Sequence, residues 1–264
     1  MALFEVCEGK MSILRIEHLS KRFGGLTAIS DFNIVIDKGG LVALIGPNGA
    51  GKTTVFNVAT GIYTPTGGRI YFREQDMTGM SPDRITSLGV ARTFQNTRLF
   101  KGLSVIANVE VSCHLHLRSS LFAAALGLPG YLREEKEIVE KSFQLLEAVG
   151  LARVANEQAG GLPYGLQRTL EIARALATDP ELLLLDEPAA GMTDEEVHAM
   201  MDFIRIIMEK FSLTVFLVEH QMRLVMGMCP RIIVLDHGAT IAEGTPEEIQ
   251  SNPKVIEAYL GTGE

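Results

Sequence analysis

The stretch Gly46-Pro47-Asn48-Gly49-Ala50-Gly51-Lys52-Thr53-Thr54 carries the strongest chemical signal in this chain. It meets the pattern G-x-x-x-x-G-K-[ST] at every fixed position. Glycines let the backbone curl until successive N–H groups converge on an anion. A helix start just beyond them adds unpaired donors and a positive dipole end. In such a loop Lys52 reaches the β- and γ-phosphates of a nucleotide, and the Thr53 hydroxyl ligates Mg²⁺. A second cluster follows far downstream, where Leu182-Leu183-Leu184-Leu185 runs into Asp186-Glu187-Pro188. An acid pair leaving a buried strand can hold Mg²⁺, through water, with Asp186 and orient or deprotonate an attacking water with Glu187.

Both clusters need elements that aim them. Leu41-Val42-Ala43-Leu44-Ile45 reads as a buried strand before the loop, and Thr53 to Thr60 as the helix after it. Leu182–Leu185, Leu213–Val218 and Ile232–Leu235 are further short, continuous apolar runs. Such runs suit strands covered on both faces, as in a parallel sheet wrapped by helices. Helical patterns at Leu166–Ala177 and Asp194–Lys210 alternate with them, which indicates an α/β core. Ile13–His18, Phe32–Asp37 and Arg69–Arg73 show period-2 patterning and read as half-buried antiparallel strands. From Asn96 to Gly161 helical patterning dominates, with Arg133–Val149 stopped by Gly150. The expected organisation is a core with its β subdomain over residues 12–95 and 166–250, an inserted helical subdomain over 96–165, and a tail over 251–264.

Bulk properties exclude some classes. With 24 Lys plus Arg against 32 Asp plus Glu, the net charge is -8, which argues against a nucleic-acid surface. Cys7, Cys113 and Cys229 lie far apart without metal-ligand spacing and fit free thiols in a reducing compartment. The longest apolar stretches, Leu121–Leu128 and Leu213–Val218, are too short to span a bilayer, and no signal peptide is expected. Residues 1–10 read as a short extension, with Met11 a second candidate start. Membrane work would therefore require another protein to hold this one in place.

Three more segments complete a recognisable order. Gln95 lies in Arg92-Thr93-Phe94-Gln95-Asn96, Leu162-Pro163-Tyr164-Gly165-Leu166-Gln167-Arg168 precedes a helix, and His220 follows an apolar strand in Leu217-Val218-Glu219-His220. Phosphate loop, glutamine, signature, Asp-Glu and histidine in this order resemble the ATP-binding cassette (ABC) ATPases, from Ser12 onward. Phe23-Gly24-Gly25-Leu26, Leu170-Glu171-Ile172-Ala173-Arg174, Asp186-Glu187-Pro188-Ala189-Ala190-Gly191, Gly244-Thr245-Pro246-Glu247-Glu248-Ile249 and the tail Val255–Gly261 look like the ATPase subunit of branched-chain amino-acid importers. The resemblance implies a P-loop cassette with an antiparallel β subdomain and an inserted helical subdomain. It implies an ATPase with ATP as substrate and Mg²⁺ as its metal. Phe23 would stack on adenine, Gln95 would touch the Mg²⁺–γ-phosphate region, and His220 would contact the γ-phosphate. It also implies a second ATPase subunit, two permeases, a periplasmic binding protein reached indirectly, and a place on the cytoplasmic face of the inner membrane.

Two departures stand out against that family. Its usual Leu-Ser-Gly-Gly-Gln signature caps the γ-phosphate held by the partner's loop, and here reads Leu162, Pro163, Tyr164, Gly165 and Leu166. Pro163 has neither hydroxyl nor N–H, so two donors are lost. Thr193 stands where Asp or Asn is usual. The site built on this chain's own loop is expected to be competent, and the site completed by its signature slow. Other cargoes, such as lipopolysaccharide or urea, and a regulatory cassette without transport stay open.

Overall fold

The structure is a computed structural model that describes residues 11–95, 97–116 and 129–260. Residues 1–10, Cys7, Asn96, the Leu121–Leu128 stretch and residues 261–264 lie outside the described residues. The chain runs β1 (Ser12–Phe23), β2 (Leu26–Asp37), β3 (Leu41–Ile45), α1 (Lys52–Ala59), β4 (Gly67–Phe72), β5 (Gln75–Asp76), α2 (Pro82–Ser87) and β6 (Val90–Arg92). It continues with α3 (Val105–Cys113), α4 (Pro129–Ala148), α5 (Tyr164–Leu176), β7 (Leu182–Asp186), α6 (Asp194–Phe211), β8 (Thr214–Val218) and α7 (Met222–Met228). It closes with β9 (Arg231–Asp236), β10 (Ala239–Gly244), α8 (Pro246–Ser251) and α9 (Pro253–Leu260).

Six strands form one sheet in the order β10-β9-β3-β8-β7-β6. The β9-β3-β8-β7-β6 part is parallel, and β10 returns antiparallel on the edge. Alternate residues of the continuous apolar runs face opposite cores. Ala43, Ile45, Leu183 and Leu185 join the core beneath α3, α4, α5 and α6. Val42, Leu44, Leu182 and Leu184 join a second core with Phe56 of α1 and the inner face of the small sheet. Burial on both faces explains why these strands show no alternation. The small sheet is antiparallel, β2-β1-β4-β5, and its period-2 pattern buries Ile34 and Ile36 while leaving Asp37 half-exposed.

The order β3-β8-β7 fixes the site. The phosphate-loop segment leaves the carboxyl end of β3, the acid pair that of β7 and the histidine that of β8, so three adjacent strands deliver them to one edge. Open α/β sheets bind ligands beyond their strands' carboxyl ends. The expected division between residues 165 and 166 falls inside α5, which starts at Tyr164. Cys113 and Cys229 are free and buried, and burial pushes the Cys229 thiol up to about 12.

Candidate nucleotide site

The loop after β3 is bent by glycines that have no substitute. Gly46 has φ 150°, and a Cβ there would come 2.0 Å from the Leu235 carbonyl oxygen at the end of β9. Gly51 has φ 107°, and its Cβ would meet Ala28 O at 2.5 Å. The loop therefore presses against the neighbouring backbone, and Gly238 N donates to Ala50 O at 2.9 Å. Asn48 and Gly49 face solvent, Pro47 is half-buried and Ala50 is buried.

Lys52 begins α1, is buried, and folds back into the loop. Its Nζ donates to Gly46 O at 2.7 Å and to Pro47 O at 2.8 Å. Burial lowers the pKa of its ammonium, while the carboxylates of Glu187 and Asp186 oppose that shift. Thr53 follows, exposed in the first helical turn, and Thr54 is half-buried.

Asp186 ends β7. Its Oδ2 pairs with Arg92 Nη2 at 2.7 Å, both side chains being almost wholly buried. Arg92 also donates to Asn57 Oδ1 at 2.7 Å and Thr60 Oγ1 at 3.2 Å, tying β6 to α1. Glu187 adopts φ 49°, a left-handed conformation rare for a side chain of this kind and concentrated at functional sites. Its N–H donates to Val218 O at 2.8 Å. Gln95 Nε2 donates to Glu187 Oε2 at 2.7 Å, and His220 Nε2 sits 2.9 Å from Oε1.

Loop, Asp186, Glu187, Gln95 and His220 thus converge. Among the described residues no hydrogen bond or ion pair joins Phe23 or the signature to that cluster. Phe23 ends β1, 42% exposed, edge-to-face with Tyr63 at 5.2 Å and with Lys21 Nζ 4.9 Å from its ring centre. Pro163 caps α5 without any side-chain hydrogen bond, and Tyr164 is 45% exposed. Among the described residues no hydrogen bond ties Pro163, Tyr164, Gly165 or Leu166 to the phosphate loop. Thr193 acts as the N-cap of α6 in a capping box with Glu196, a use that a hydroxyl serves well.

Sequence reasoning passed over four residues. Arg92 and Glu219 lay inside quoted motifs without a role. Glu219 is 1% exposed and accepts from Ala189 N at 2.9 Å, His220 N at 2.6 Å and Gln221 N at 2.9 Å. Burial pushes its carboxyl above the usual range, and those three donors pull it back. Arg168 and Glu171, both buried on α5, pair at 3.1 Å and bind the backbone beside Gln95.

Such a loop, acid pair and strand order define a phosphate-loop ATPase. A family model described as ABC transporter matches residues 29–190, and one described as Branched-chain amino acid ATP-binding cassette transporter matches residues 239–264. The high-affinity branched-chain amino acid transport ATP-binding protein LivG of Escherichia coli (strain K12) is 46% identical over 249 residues, 94% of this chain and 98% of that one. BraF of Pseudomonas aeruginosa, of the same description, is 45% identical over 94% of this chain and 98% of its own length. The solved ADP conformation of MJ1267, an ATP-binding cassette of an ABC transporter, superposes with a TM-score of 0.83 at 32% identity, over 96% of this chain and all of that one. The chain belongs to the ABC transporter ATP-binding family, whose members hydrolyse ATP to power transport. Among the described residues no helix is long and apolar enough to cross a membrane.

Proposed function

We propose that this chain is one of two ATPase subunits driving an importer of branched-chain amino acids, held by two permeases at the cytoplasmic face of the membrane. The observation that carries the ATPase half is the placement of Glu187 between Gln95 and His220, beside the buried Lys52. The cargo is supported by the 46% identity to LivG and by the match of the tail to a branched-chain family model.

The loop amides from Gly46 to Thr54 cradle the phosphates, and Lys52 exchanges its carbonyl partners for phosphate oxygens. Phe23 offers an exposed aromatic face to adenine, where stacking needs no fixed hydrogen-bond pattern. Thr53, Asp186 and Gln95 would hold Mg²⁺, Asp186 through water. They fit: Thr53 is exposed beside Lys52, and among the described residues Asp186 Oδ1 accepts no hydrogen bond while Arg92 holds Oδ2. When bound, that ion neutralises charge on the phosphate oxygens. Glu187 orients the attacking water and takes its proton, and His220 steadies the γ-phosphate.

The Pro163–Leu166 segment starts a helix whose first N–H groups are free of any side-chain cap, so it can still offer donors and a dipole to a partner's phosphate. Reconstitution tests the whole reading. Capture from solubilised membranes should recover a second ATPase subunit and two permeases, and proteoliposomes holding that complex with a periplasmic binding protein should take up leucine on ATP addition. Recovery with soluble partners only would contradict the transport half, and uptake of another solute instead would contradict the cargo.

A further inference from the structure

We propose that Arg168 is a positioning residue that couples the Tyr164 segment to Glu187 by setting how Gln95 is held. The proposal rests on the reading above, in which Glu187 is the base and Tyr164 faces the partner's nucleotide.

Arg168 has more donors than its ion pair needs. Nη1 donates to Glu171 Oε2 at 3.1 Å, the expected pairing on one helix face. The remaining donors leave the pair. Nη1 also donates to Phe94 O at 2.8 Å, Nη2 to Gln95 O, and Nε to Tyr164 OH at 2.9 Å. Glu171 Oε1 completes the grip by accepting from Phe94 N at 3.2 Å. The backbone of Phe94 and Gln95 is therefore held from α5 at one N–H and two carbonyls. From there Gln95 Nε2 reaches Glu187 Oε2 at 2.7 Å.

The path is short and each link is a named contact: Tyr164 hydroxyl, Arg168 guanidinium, Gln95 backbone, Gln95 amide, Glu187 carboxylate. One end is half-exposed on the surface given to the partner, and the other is the base of this chain's own site. A planar, permanently charged guanidinium suits a strut of this kind, because its donors keep fixed relative directions. A lysine at the same place keeps the charge beside Glu171 but is a point donor and cannot serve both carbonyls and the phenol at once. Displacement of Tyr164 on pairing would thus shift Gln95 and change its hold on Glu187, a coupling between two sites through one packed side chain.

The test is a set of mutant cycles in the assembled transporter, reading kcat and KM for ATP. Tyr164→Phe removes only the phenol oxygen, and Arg168→Lys keeps the charge. Each should lower kcat about tenfold with KM changed less than about twofold, and the double variant should be no slower than Arg168→Lys. Tyr164→Phe should also lose its effect in a Gln95→Ala background, a cycle that stands even if Arg168→Lys does not fold. Losses that multiply, a Tyr164→Phe effect equal in both backgrounds, or unchanged kcat in Tyr164→Phe would overturn the strut. Glu187→Gln in the same complex separates the two claims. If it still turns over, the underlying reading has failed; if it is inactive while the losses multiply, only the strut has.

Discussion

Arg92 Nη2 lies 2.7 Å from Asp186 Oδ2, and the two side chains are 4% and 3% exposed. Charges this deeply buried are tolerated when each has further partners. Arg92 uses Asn57 of α1 and Thr60 at its C-cap and lies over the Phe94 ring at 4.9 Å, yet among the described residues its buried Nε has no hydrogen-bond partner. The guanidinium therefore joins the helix after the phosphate loop to the acid at the end of β7. Arg92→Ala should leave Asp186 buried and unpaired and cost about 3 kcal/mol or more of stability. Urea unfolding of the purified subunit measures this; a cost within about 0.5 kcal/mol would place the pair among neutral contacts.

Gly46 meets the Leu235 carbonyl so closely that no side chain fits. Gly46→Ala should destabilise the chain by more than about 2 kcal/mol, or shift the loop and abolish Mg-ATP binding. Thermal unfolding combined with calorimetric titration of ATP covers both outcomes. A variant with native Tm and native ATP affinity would show that the loop is looser than described.

Glu219 titrates above its ordinary 4.5 because burial outweighs its three N–H donors. A raised folded-state pKa means that the folded protein holds this proton more tightly than the unfolded chain does. Its contribution to stability is complete below about pH 4.5 and is lost as pH rises through the folded value. The Tm of the native chain minus that of Glu219→Gln should therefore fall as pH is raised from 4.5 toward neutrality. A rising difference would mean that the donors dominate and the carboxyl is depressed instead.

Pro163 removes a hydroxyl and an N–H from the signature. Pro163→Ser should raise the ATPase rate of the assembled complex, since one preorganised donor is worth about 10²–10³-fold at a single site. Turnover of the complex is the readout, and an unchanged rate would show that the two sites do not differ for this reason.

Much of this arrangement was legible in the residues. Leu41–Ile45, Leu182–Leu185 and Leu213–Val218 announce buried strands, because continuous apolar runs between polar borders leave little else to be. The residues of the candidate site stand out in the sequence because their chemistry is local: glycines around Lys52, and an acid pair on a strand end. What escaped was non-local. Arg92 meets Asp186 across 94 positions, and Arg168 meets Phe94 across 74, so nothing in either neighbourhood marks them. β1 and β2 extend to 12 residues each, beyond the segments whose alternation was clear, since bulges at several points break the period. The start of α8 is local as well, a capping box of Thr245 and Glu248.

Glu187, held by Gln95 and His220 beside the phosphate loop, is proposed here as the base for ATP hydrolysis. Glu187→Gln in the assembled complex tests it most directly. With Glu187 as the base, this variant should bind ATP with affinity close to native while steady-state phosphate release falls at least about 100-fold. Phosphate release within about threefold of native would contradict it.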